Sequence, residues 1–443
     1  MLDVLIVGAG PAGAVAAMLL ARAGARVRLV DRADFPRDKL CGDTVNPGTL
    51  ARLRRLGIGA AVDARGLRVD GMLVTGERGT AIEGRYPRGL FGRAILRRDL
   101  DWLLLQQAVQ AGCQFDPHVA VRDAIVDASP HGPVVVGARV GHSGSTRELH
   151  ARVTIAADGR RSTVAFGLGL ARHPDVPRRW AIGAYFESVR HVSDTCLTPE
   201  TINAETAERA EPKPSLRVPR VLRCTSVLGE MHVRRGRYIG VAPVPGGATN
   251  VCLVKPSHPA DGDLRDPAGL LTRELARDPL LRDRFADARL IAPPVVLGPL
   301  AVDVQPAAID GLLLAGDAAG FIDPMTGDGL RFAIHGGELA ASAALDALAR
   351  GWPGVHARLA ESRRREFGGK WRFNRTLRAL VASPRSIEAA ALGARLAPFV
   401  LRGVISRAGD CDTVLAPLQC VTEILLHHGG QGDAEEKSRR EQV

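Results

Sequence analysis

Residues 2–31 carry the pattern that most constrains the fold. A β-branched apolar run at 4–7 has the composition of a buried strand and leads directly into the glycine-rich sequence 8–13. A helical pattern follows, and a second apolar run at 27–30 ends at Asp31. Strand, glycine-rich turn, helix, strand and acid in this order predict a βαβ unit that binds a dinucleotide.

The residues of the glycine-rich turn each have a physical task. Gly8 permits the tight turn out of the strand, Gly10 lets the backbone approach a pyrophosphate, and Gly13 lets the helix lie close on the strand. Pro11 and Ala12 open the helix, whose free N–H groups and positive dipole end favour phosphate. The alternative is a tight turn between core elements that binds nothing.

The acid that closes the unit narrows the choice of dinucleotide. Asp31 lies 18 residues after Gly13, where a carboxylate can accept both hydroxyls of an adenosine ribose. An acid there disfavours a 2′-phosphate, so FAD or NAD is predicted rather than NADP. We include Arg32, the next residue, among the predicted cofactor contacts.

The composition is that of a globular protein in a reducing compartment. The chain has 443 residues, enough for two or three domains, and a net charge of +11. Its seven cysteines are odd in number and form no CxxC pair, which disfavours both a disulfide framework and a metal site. Free cysteines of this kind predict a cytoplasmic protein. The apolar N-terminus lacks the basic leader of a signal peptide, and no apolar run reaches about 18 residues.

Two later segments repeat the strand–turn–helix order, at 153–162 and at 311–329. The nucleotide-binding domain is therefore predicted to be discontinuous. Short strand-like segments separated by Gly or Pro predict a second domain built on an antiparallel sheet. The predicted boundaries are 1–80, 93–180 and 290–350 for the first domain, 81–92 and 181–289 for the second, with a loop insertion at 190–222, and 351–443 for a helical C-terminal cap.

Three motifs together resemble the FAD-binding domain of the p-hydroxybenzoate-hydroxylase-like flavoproteins: GAGPAG, ADGRRS and GDAAGFIDPMTGDG. The resemblance implies an α/β fold with a discontinuous, Rossmann-like (GR2-type) FAD-binding domain, an antiparallel-sheet substrate domain and a helical C-terminal cap. It also implies FAD as the cofactor.

The same resemblance assigns roles to residues of the two later motifs. Asp317, beside Gly316, would hold the ribityl chain, and Asp158 would support the FAD site. The backbone near Gly327 and Gly329, at a helix start, would face the pyrimidine edge of the flavin, where the helix dipole stabilises the reduced anion. Further predicted contacts in this loop are Pro324, Asp328 and Leu330. The alternative for Asp317 is a turn-forming residue.

Arg97 and Asp101 resemble the Arg-x-x-x-Asp that opens a long helix in this superfamily. There the arginine reaches the ribityl and phosphate region of FAD. The alternative is an i,i+4 ion pair on a solvated helix face, and the adjacent Arg98 could take the cofactor role instead.

The segment Pro-Arg-Asp-Lys-Leu-Cys-Gly at 36–42 resembles the geranylgeranyl reductase family, whose members saturate isoprenoid double bonds in lipids, chlorophyll precursors or quinones. That resemblance places Cys41 and Gly42 beside the flavin ring, whereas a free cysteine is more commonly a small buried residue. Arg37 and Lys39 either contact FAD or cap a turn.

The resemblance weakens at the substrate wall. Archaeal members carry Tyr-x-Trp-x-Phe-Pro, but here the segment 238–243 has Gly240 and Ala242 in place of the large aromatics. The substrate is therefore not carried over. By residue type alone, Tyr238, His232 and Cys41 are candidates for a proton donor near the flavin, but a structural role is favoured for each.

Three functions remain open on the sequence. The first is reduction of a carbon–carbon double bond in an apolar, isoprenoid or lipid-like substrate by hydride from reduced flavin. The second is hydroxylation of an aromatic ring, free or lipid-linked, by a flavin monooxygenase. The third is electron transfer or lipid binding without catalysis. The absence of a Trp-x-Trp-x-Ile-Pro segment argues against halogenation.

Partners are indicated only in outline. Because no second GxGxxG occurs, NAD(P)H would bind transiently, or a redox protein would supply electrons. The basic stretch 363–378 beside the apolar stretch 387–405 suggests peripheral contact with a membrane, but the alternative, a helical cap with a solvated basic face, is slightly favoured. Nucleic acid binding is not predicted, because no aromatics are interleaved with the charges in a recognised module. His427 and His428 lack partner ligands for a metal.

Overall fold

The fold is taken from a computed structural model of the chain. It describes residues 2–77, 81–130, 132–142, 145–175, 179–190, 227–256, 262–304, 309–381 and 398–415, with Ser386, Ala389 and Gly393. Only residue 190 of the predicted insertion lies within this part, and His427 and His428 lie outside it.

The helices of the described residues form ten α-helical segments. They are α1 (Pro11–Arg22), α2 (Pro47–Arg55), α3 (Gly59–Arg65), α4 (Arg97–Gln110), α5 (Thr163–Gly167), α6 (Pro267–Arg277), α7 (Gly329–Arg350), α8 (Val355–Val381), α9 (Pro398–Ala408) and α10 (Asp412–Leu415). Short 3₁₀ turns lie at Pro87–Gly89, Gly262–Arg265, Gly316–Ala319 and Pro324–Thr326.

The strands of the described residues are numbered in chain order. They are β1 (Leu2–Val7), β2 (Val27–Val30), β3 (Thr44–Val45), β4 (Leu67–Val69), β5 (Gly71–Thr75), β6 (Ala81–Arg85), β7 (Gly92–Ala94), β8 (Gln114–Asp116), β9 (Val121–Ser129), β10 (Gly132–His142), β11 (Ser145–Ala156), β12 (Ala171–Arg172), β13 (Arg179–Glu187), β14 (Leu228–Arg234), β15 (Arg237–Pro243), β16 (Thr249–Pro256), β17 (Arg289–Leu290), β18 (Val295–Leu297), β19 (Asp303–Val304) and β20 (Leu312–Leu314).

The first sheet has the order β8-β2-β1-β11-β10-β9, with β20 paired to β11. Strands β8, β2, β1, β11 and β20 run parallel, so the three motifs end at one edge, where parallel strands present their carboxyl ends. Helices α1, α4 and α7 contribute to the buried core on this sheet. The predicted α/β fold is confirmed.

The glycines of the first motif let α1 pack closely. A Cβ at Gly13 would overlap the carbonyl oxygen of Gly8, and a Cβ at Gly337 on α7 would overlap that of Ala12. Two helices and a strand therefore approach at distances that only glycine allows.

The second sheet has the order β17-β13-β16-β15-β14-β5-β6, with β18 paired to β13. One face is covered by α6, whose Leu270, Leu271 and Leu275 pack on Ile239 and Leu253. Since side chains alternate along strands, the neighbours of these residues point to the opposite face, toward the first domain.

Strand pairing bears on the predicted boundaries at 80 and 290. β5, placed by sequence in the first domain, pairs with β14 and β6 in the second sheet. β18, also placed in the first domain, pairs with β13. We therefore group both strands with the second sheet, and the rest of the domain division stays a prediction. Two small sheets, β12-β19 and β3-β7-β4, lie outside both.

The C-terminal helices are joined to the two sheets. On α8, Phe367 is fully buried and Leu377 packs near Tyr238 of β15. On α9, Ile405 lies over Gly84 of β6, where a Cβ would overlap it. Among the described residues, the structure contains no helix that is long and apolar enough to span a bilayer.

Candidate functional site

The glycine-rich turn is held in the geometry that the sequence predicts. Gly8 has φ +98°, a region that only glycine adopts freely. The Ala9 N–H donates to Asp31 Oδ2 at 2.8 Å, and the Ala33 N–H donates to Asp31 Oδ1 at 2.9 Å. Helix α1 starts after Gly10 with Pro11, and no side chain caps it. Its N-terminus is therefore available to an anion.

A group of cations lies beside this turn. A Cβ on Gly10 would be 3.6 Å from Arg37 Nη2, and a Cβ on Gly159 would be 4.0 Å from Lys39 Nζ. Loss of water around the ammonium group lowers the pKa of Lys39, and the nearby Arg97 charge lowers it further. These cations converge on the cleft between the first two motifs, so its charge suits a pyrophosphate.

Arg97 makes a buried ion pair rather than a solvated one. Its Nε and Nη2 donate to Asp101 at 2.8 and 2.9 Å, and the two residues are only 7% and 0% exposed. Burial opposes the charge of Arg97, but the Asp101 carboxylate outweighs it and raises the arginine pKa. The solvated-face alternative is therefore wrong. The neighbouring Arg98 side chain is 46% exposed and lies 3.7 Å from Asp38.

Asp158 and Asp317 lie in the two later motifs. Asp158 Oδ2 accepts the Thr163 N–H at 2.8 Å, while its buried Oδ1 has no partner among the described residues. The Asp317 carboxylate lies near the charges of Lys39 and Arg97. Burial raises the pKa of both carboxyls, and Lys39 and Arg97 oppose that shift at Asp317. Asp317 therefore lies among the cations beside the glycine-rich turn, and its contact with the ribityl chain stays a prediction.

The late loop has open space beside its glycines. Gly327 has φ +67° and precedes the start of α7 at Gly329. A Cβ at Gly327, Gly329 or Gly42 would meet no atom within 4 Å. The residues at both predicted edges of the flavin ring therefore leave room for it, and the site fits FAD.

Two predicted contacts in this loop have side chains engaged elsewhere. The Asp328 carboxylate is 2% exposed and is held by Lys370 Nζ at 3.1 Å, Asn374 Nδ2 at 3.1 Å and Asn46 Nδ2 at 3.4 Å. The Leu330 side chain lies in the core around α1. Only the backbone of either residue is left for a cofactor. The Asp328 carboxylate instead ties the loop to α8.

Asp43 forms a buried network that the sequence did not reveal. It is fully buried, has φ +49°, and accepts the Arg97 N–H at 3.2 Å. Its other oxygen accepts Tyr185 Oη–H and Asn250 Nδ2–H, both at 2.6 Å, while Asn250 also donates to Cys41 O at 2.7 Å. Burial raises the pKa of Asp43 to about 6. The network fixes the Cys41–Gly42 segment to β13 and β16.

A second anchor joins the sheet to the late loop. Tyr238 Oη–H on β15 donates to Asp323 Oδ1 at 2.7 Å, and the Met325 N–H donates to the same oxygen at 3.0 Å. Arg179 Nη1 lies 3.2 Å from Asp323 Oδ2. Burial raises the pKa of Tyr238 well above its usual value, so its hydroxyl is a weak acid. Tyr238 therefore acts in this geometry as an anchor.

Between the two anchors, one in-register row of small or aliphatic side chains crosses six strands. With neighbouring strands about 4.8 Å apart, the row extends about 24 Å. A Cβ at Gly240 would meet nothing nearer than 3.9 Å, whereas Leu40 fills the space over Gly183. We call this the apolar row: Gly183, Cys252, Gly240, Met231, Val74 and Ile82.

His232 lies on the other face of the sheet. Its register partner is Ile239, which packs against α6. Its Nε2 is 2.9 Å from Glu230 Oε2 and its Nδ1 is 2.9 Å from Thr75 Oγ1, and it is 1% exposed. His232 is therefore structural, and it is no longer a candidate donor, because the sheet separates it from the Cys41–Gly42 segment.

Comparison with known proteins identifies the family. A family model described as FAD binding domain matches residues 1–208. The menaquinone reductase of Mycolicibacterium smegmatis is 32% identical over 354 residues, 76% of this chain and 75% of that protein. The digeranylgeranylglycerophospholipid reductase of Methanosarcina mazei is 28% identical over 370 residues, 79% of this chain and 76% of that protein. The chain belongs to the geranylgeranyl reductase family.

Membership of this family confirms that the protein is an FAD-dependent oxidoreductase. Solved structures show the same fold. The flavin-dependent brominase Bmp2 is 20% identical with a TM-score of 0.75, covering 93% of this chain and 94% of its own. Halogenase PltM, in complex with phloroglucinol and FAD, is 19% identical with a TM-score of 0.63, covering 79% and 70%. At these identities the likeness shows the fold alone.

Proposed function

We propose that this protein is a reductase that saturates carbon–carbon double bonds in an isoprenoid chain, and that the chain lies along the apolar row. The row carries the proposal, because five of its six side chains are half-buried and none is charged. It begins beside Cys41, at the predicted flavin edge, and ends at the sheet margin on β6. A flexible hydrocarbon fits such a surface better than a compact aromatic ring does.

The names of two relatives agree with this substrate class. One is called a menaquinone reductase and the other a digeranylgeranylglycerophospholipid reductase. Gly240 and Ala242 widen the row near the flavin edge compared with the aromatic segment of archaeal lipid reductases. The wider row favours a substrate whose reacting double bond adjoins a bulkier group, as in a prenylated quinone.

The chemistry divides between cofactor and protein. Reduced FAD, when bound, supplies a hydride to one carbon of the double bond. The protein positions the chain along the row, excludes water with the anchors at Asp43 and Asp323, and delivers a proton to the second carbon. Of the three predicted donors, His232 faces away and Tyr238 is tied to Asp323. We therefore assign the proton to the thiol of Cys41.

Product analysis tests the proposal. The FAD-loaded protein is reduced with dithionite without oxygen and mixed with prenylated quinones and prenyl lipids in detergent micelles. Mass spectrometry is expected to show a gain of two hydrogen atoms per turnover on the prenyl chain. A gain of one oxygen atom in air would replace the proposal with hydroxylation, and flavin reoxidation with an unchanged prenyl chain would replace it with electron transfer.

The electron donor is tested in the same assay. We expect NADH, NADPH or a reduced redox protein to replace dithionite by a transient encounter. Steady-state product formation with each donor in turn identifies the one that sustains turnover.

A further inference from the structure

The apolar row is closed at its flavin end by Leu40. A Cβ at Gly183, the first residue of the row, would overlap Cδ1 and Cδ2 of Leu40. Leu40 is 8% exposed and directly precedes Cys41 in the chain. An apolar chain that lies along the row therefore cannot extend past Gly183, and the part of it nearest this end lies close to Cys41.

The far end of the row is closed by Ile405 of α9. Ile82, the last residue of the row, and Gly84 lie two residues apart on β6 and therefore point to the same face of the sheet. A Cβ at Gly84 would overlap Ile405 Cδ1, so the Ile405 side chain reaches the surface of this strand. Ile405 is 6% exposed and packs with Tyr86 and Cys411, which are also buried. These side chains fill the space into which a longer chain would continue.

One side of the row is bounded as well. Cys252, Met231 and Val74 pack against the cluster that contains Tyr238, and Leu377 of α8 contacts the same cluster. The row is therefore a groove of fixed length, about 24 Å across its six strands. Because packed side chains leave little spare room at its ends, such a groove holds only a limited length of hydrocarbon.

We propose that Ile405 is a specificity-determining residue that limits the length of the prenyl chain that the protein accepts. This rests on the proposed function, since a chain that lies along the row meets Ile405 at its far end. A chain that ends before Ile405 is buried along the row. A longer chain leaves its last isoprene units in water or displaces packed side chains, and both weaken binding.

The length dependence of turnover by the FAD-loaded full-length protein tests the proposal. The substrates are prenylated quinones in detergent micelles whose chains increase by one isoprene unit at a time, with dithionite as the reductant and without oxygen. For the wild type, we expect kcat/KM to fall at least about tenfold between the longest accepted chain and the next one. Ile405→Ala is expected to accept that next chain, because it removes the side-chain atoms that lie over Gly84.

Two further variants show whether the shift belongs to this side chain. Ile405→Val removes one methyl group and keeps the branched shape, so it tests the proposal even if Ile405→Ala does not fold. It is expected to raise turnover of the first excluded chain about fourfold. The control Val404→Ala changes the neighbouring residue of α9, which is 37% exposed, and is expected to keep the wild-type length limit.

Three results would overturn the proposal. One is a wild-type protein with no length limit, and another is a limit that stays at the same chain length in both Ile405 variants. The third is a limit that moves equally in Val404→Ala.

Binding separates this proposal from the proposed function. If no chain of any length is saturated, the proposed function fails, and quenching of flavin fluorescence then measures the affinity of the oxidised protein for the same quinones. A length limit in affinity that moves with Ile405 would leave the limit standing by itself. Affinities without such a limit would overturn both proposals.

Discussion

Replacing Asp43 with asparagine tests the network that joins the second sheet to the Cys41–Gly42 segment. Asp43 is fully buried among Tyr185, Asn250 and the Arg97 amide, and burial raises its pKa from 3.8 to about 6. A carboxyl whose pKa is raised by folding keeps its proton in the native state at pH values where the unfolded chain has released it. Ionisation in the folded protein therefore costs stability.

The sign and size of the effect follow from this shift. Between pH 3.8 and about 6, the native state holds more protons at this site than the unfolded state, so the Asp43 contribution to stability falls as the pH rises. A shift of about two units corresponds to about 3 kcal/mol over the whole window. Asparagine does not titrate, so the Asp43→Asn variant lacks this slope.

The assay is urea unfolding of the FAD-loaded protein from pH 4 to 7.5, followed by circular dichroism. The measured quantity is the difference in free energy of unfolding between the wild type and Asp43→Asn. This difference is expected to fall by up to about 3 kcal/mol as the pH rises from 4 to 7.5. The control Asp283→Asn makes the same chemical change at a side chain that is 82% exposed. Parallel curves for wild type and Asp43→Asn, or a difference that grows with pH, would refute the reasoning.

Two further predictions concern the cofactor cleft and the late loop. Gly13→Ala is expected to abolish FAD retention because its Cβ would overlap the Gly8 carbonyl oxygen, whereas the control Gly167→Ala, whose Cβ meets nothing within 4 Å, retains FAD. Flavin absorbance of the purified proteins measures the retention of both. Full retention of FAD by Gly13→Ala would contradict the geometry. Lys370→Met leaves the buried Asp328 carboxylate without its cation, and it is expected to lower the free energy of unfolding in urea by about 3–5 kcal/mol. A loss below about 1 kcal/mol would show that the ion pair does not hold the loop.

Local features of the fold were predictable from the sequence. The turn at Gly8, the helix start at Pro11 and the open backbone at Gly327 each depend on a few adjacent residues whose conformation is restricted by sterics. The family resemblance added the fold and the cofactor, and both were confirmed.

The residues that sequence reasoning missed depend on long-range pairing. Asp43 contacts Tyr185 and Asn250, which lie 142 and 207 residues away along the chain. The acid after Cys41–Gly42 was visible, but its partners come from strands whose register no local pattern encodes. His232 failed as a donor for the same reason, because one step along a strand decides which face of the sheet a side chain occupies.

The central claim is that the substrate chain lies along the apolar row at Gly240. The most direct test is single-turnover reoxidation of reduced flavin by a prenylated quinone. Stopped-flow absorbance without oxygen monitors the flavin, and analysis of the product measures saturation of the chain. Gly240→Asp is expected to retain FAD but to slow chain saturation at least about a hundredfold, because a buried charge in the row opposes an apolar chain, while Gly240→Ala, whose Cβ has room, stays near the wild-type rate. Chain saturation by Gly240→Asp at the wild-type rate would contradict the account.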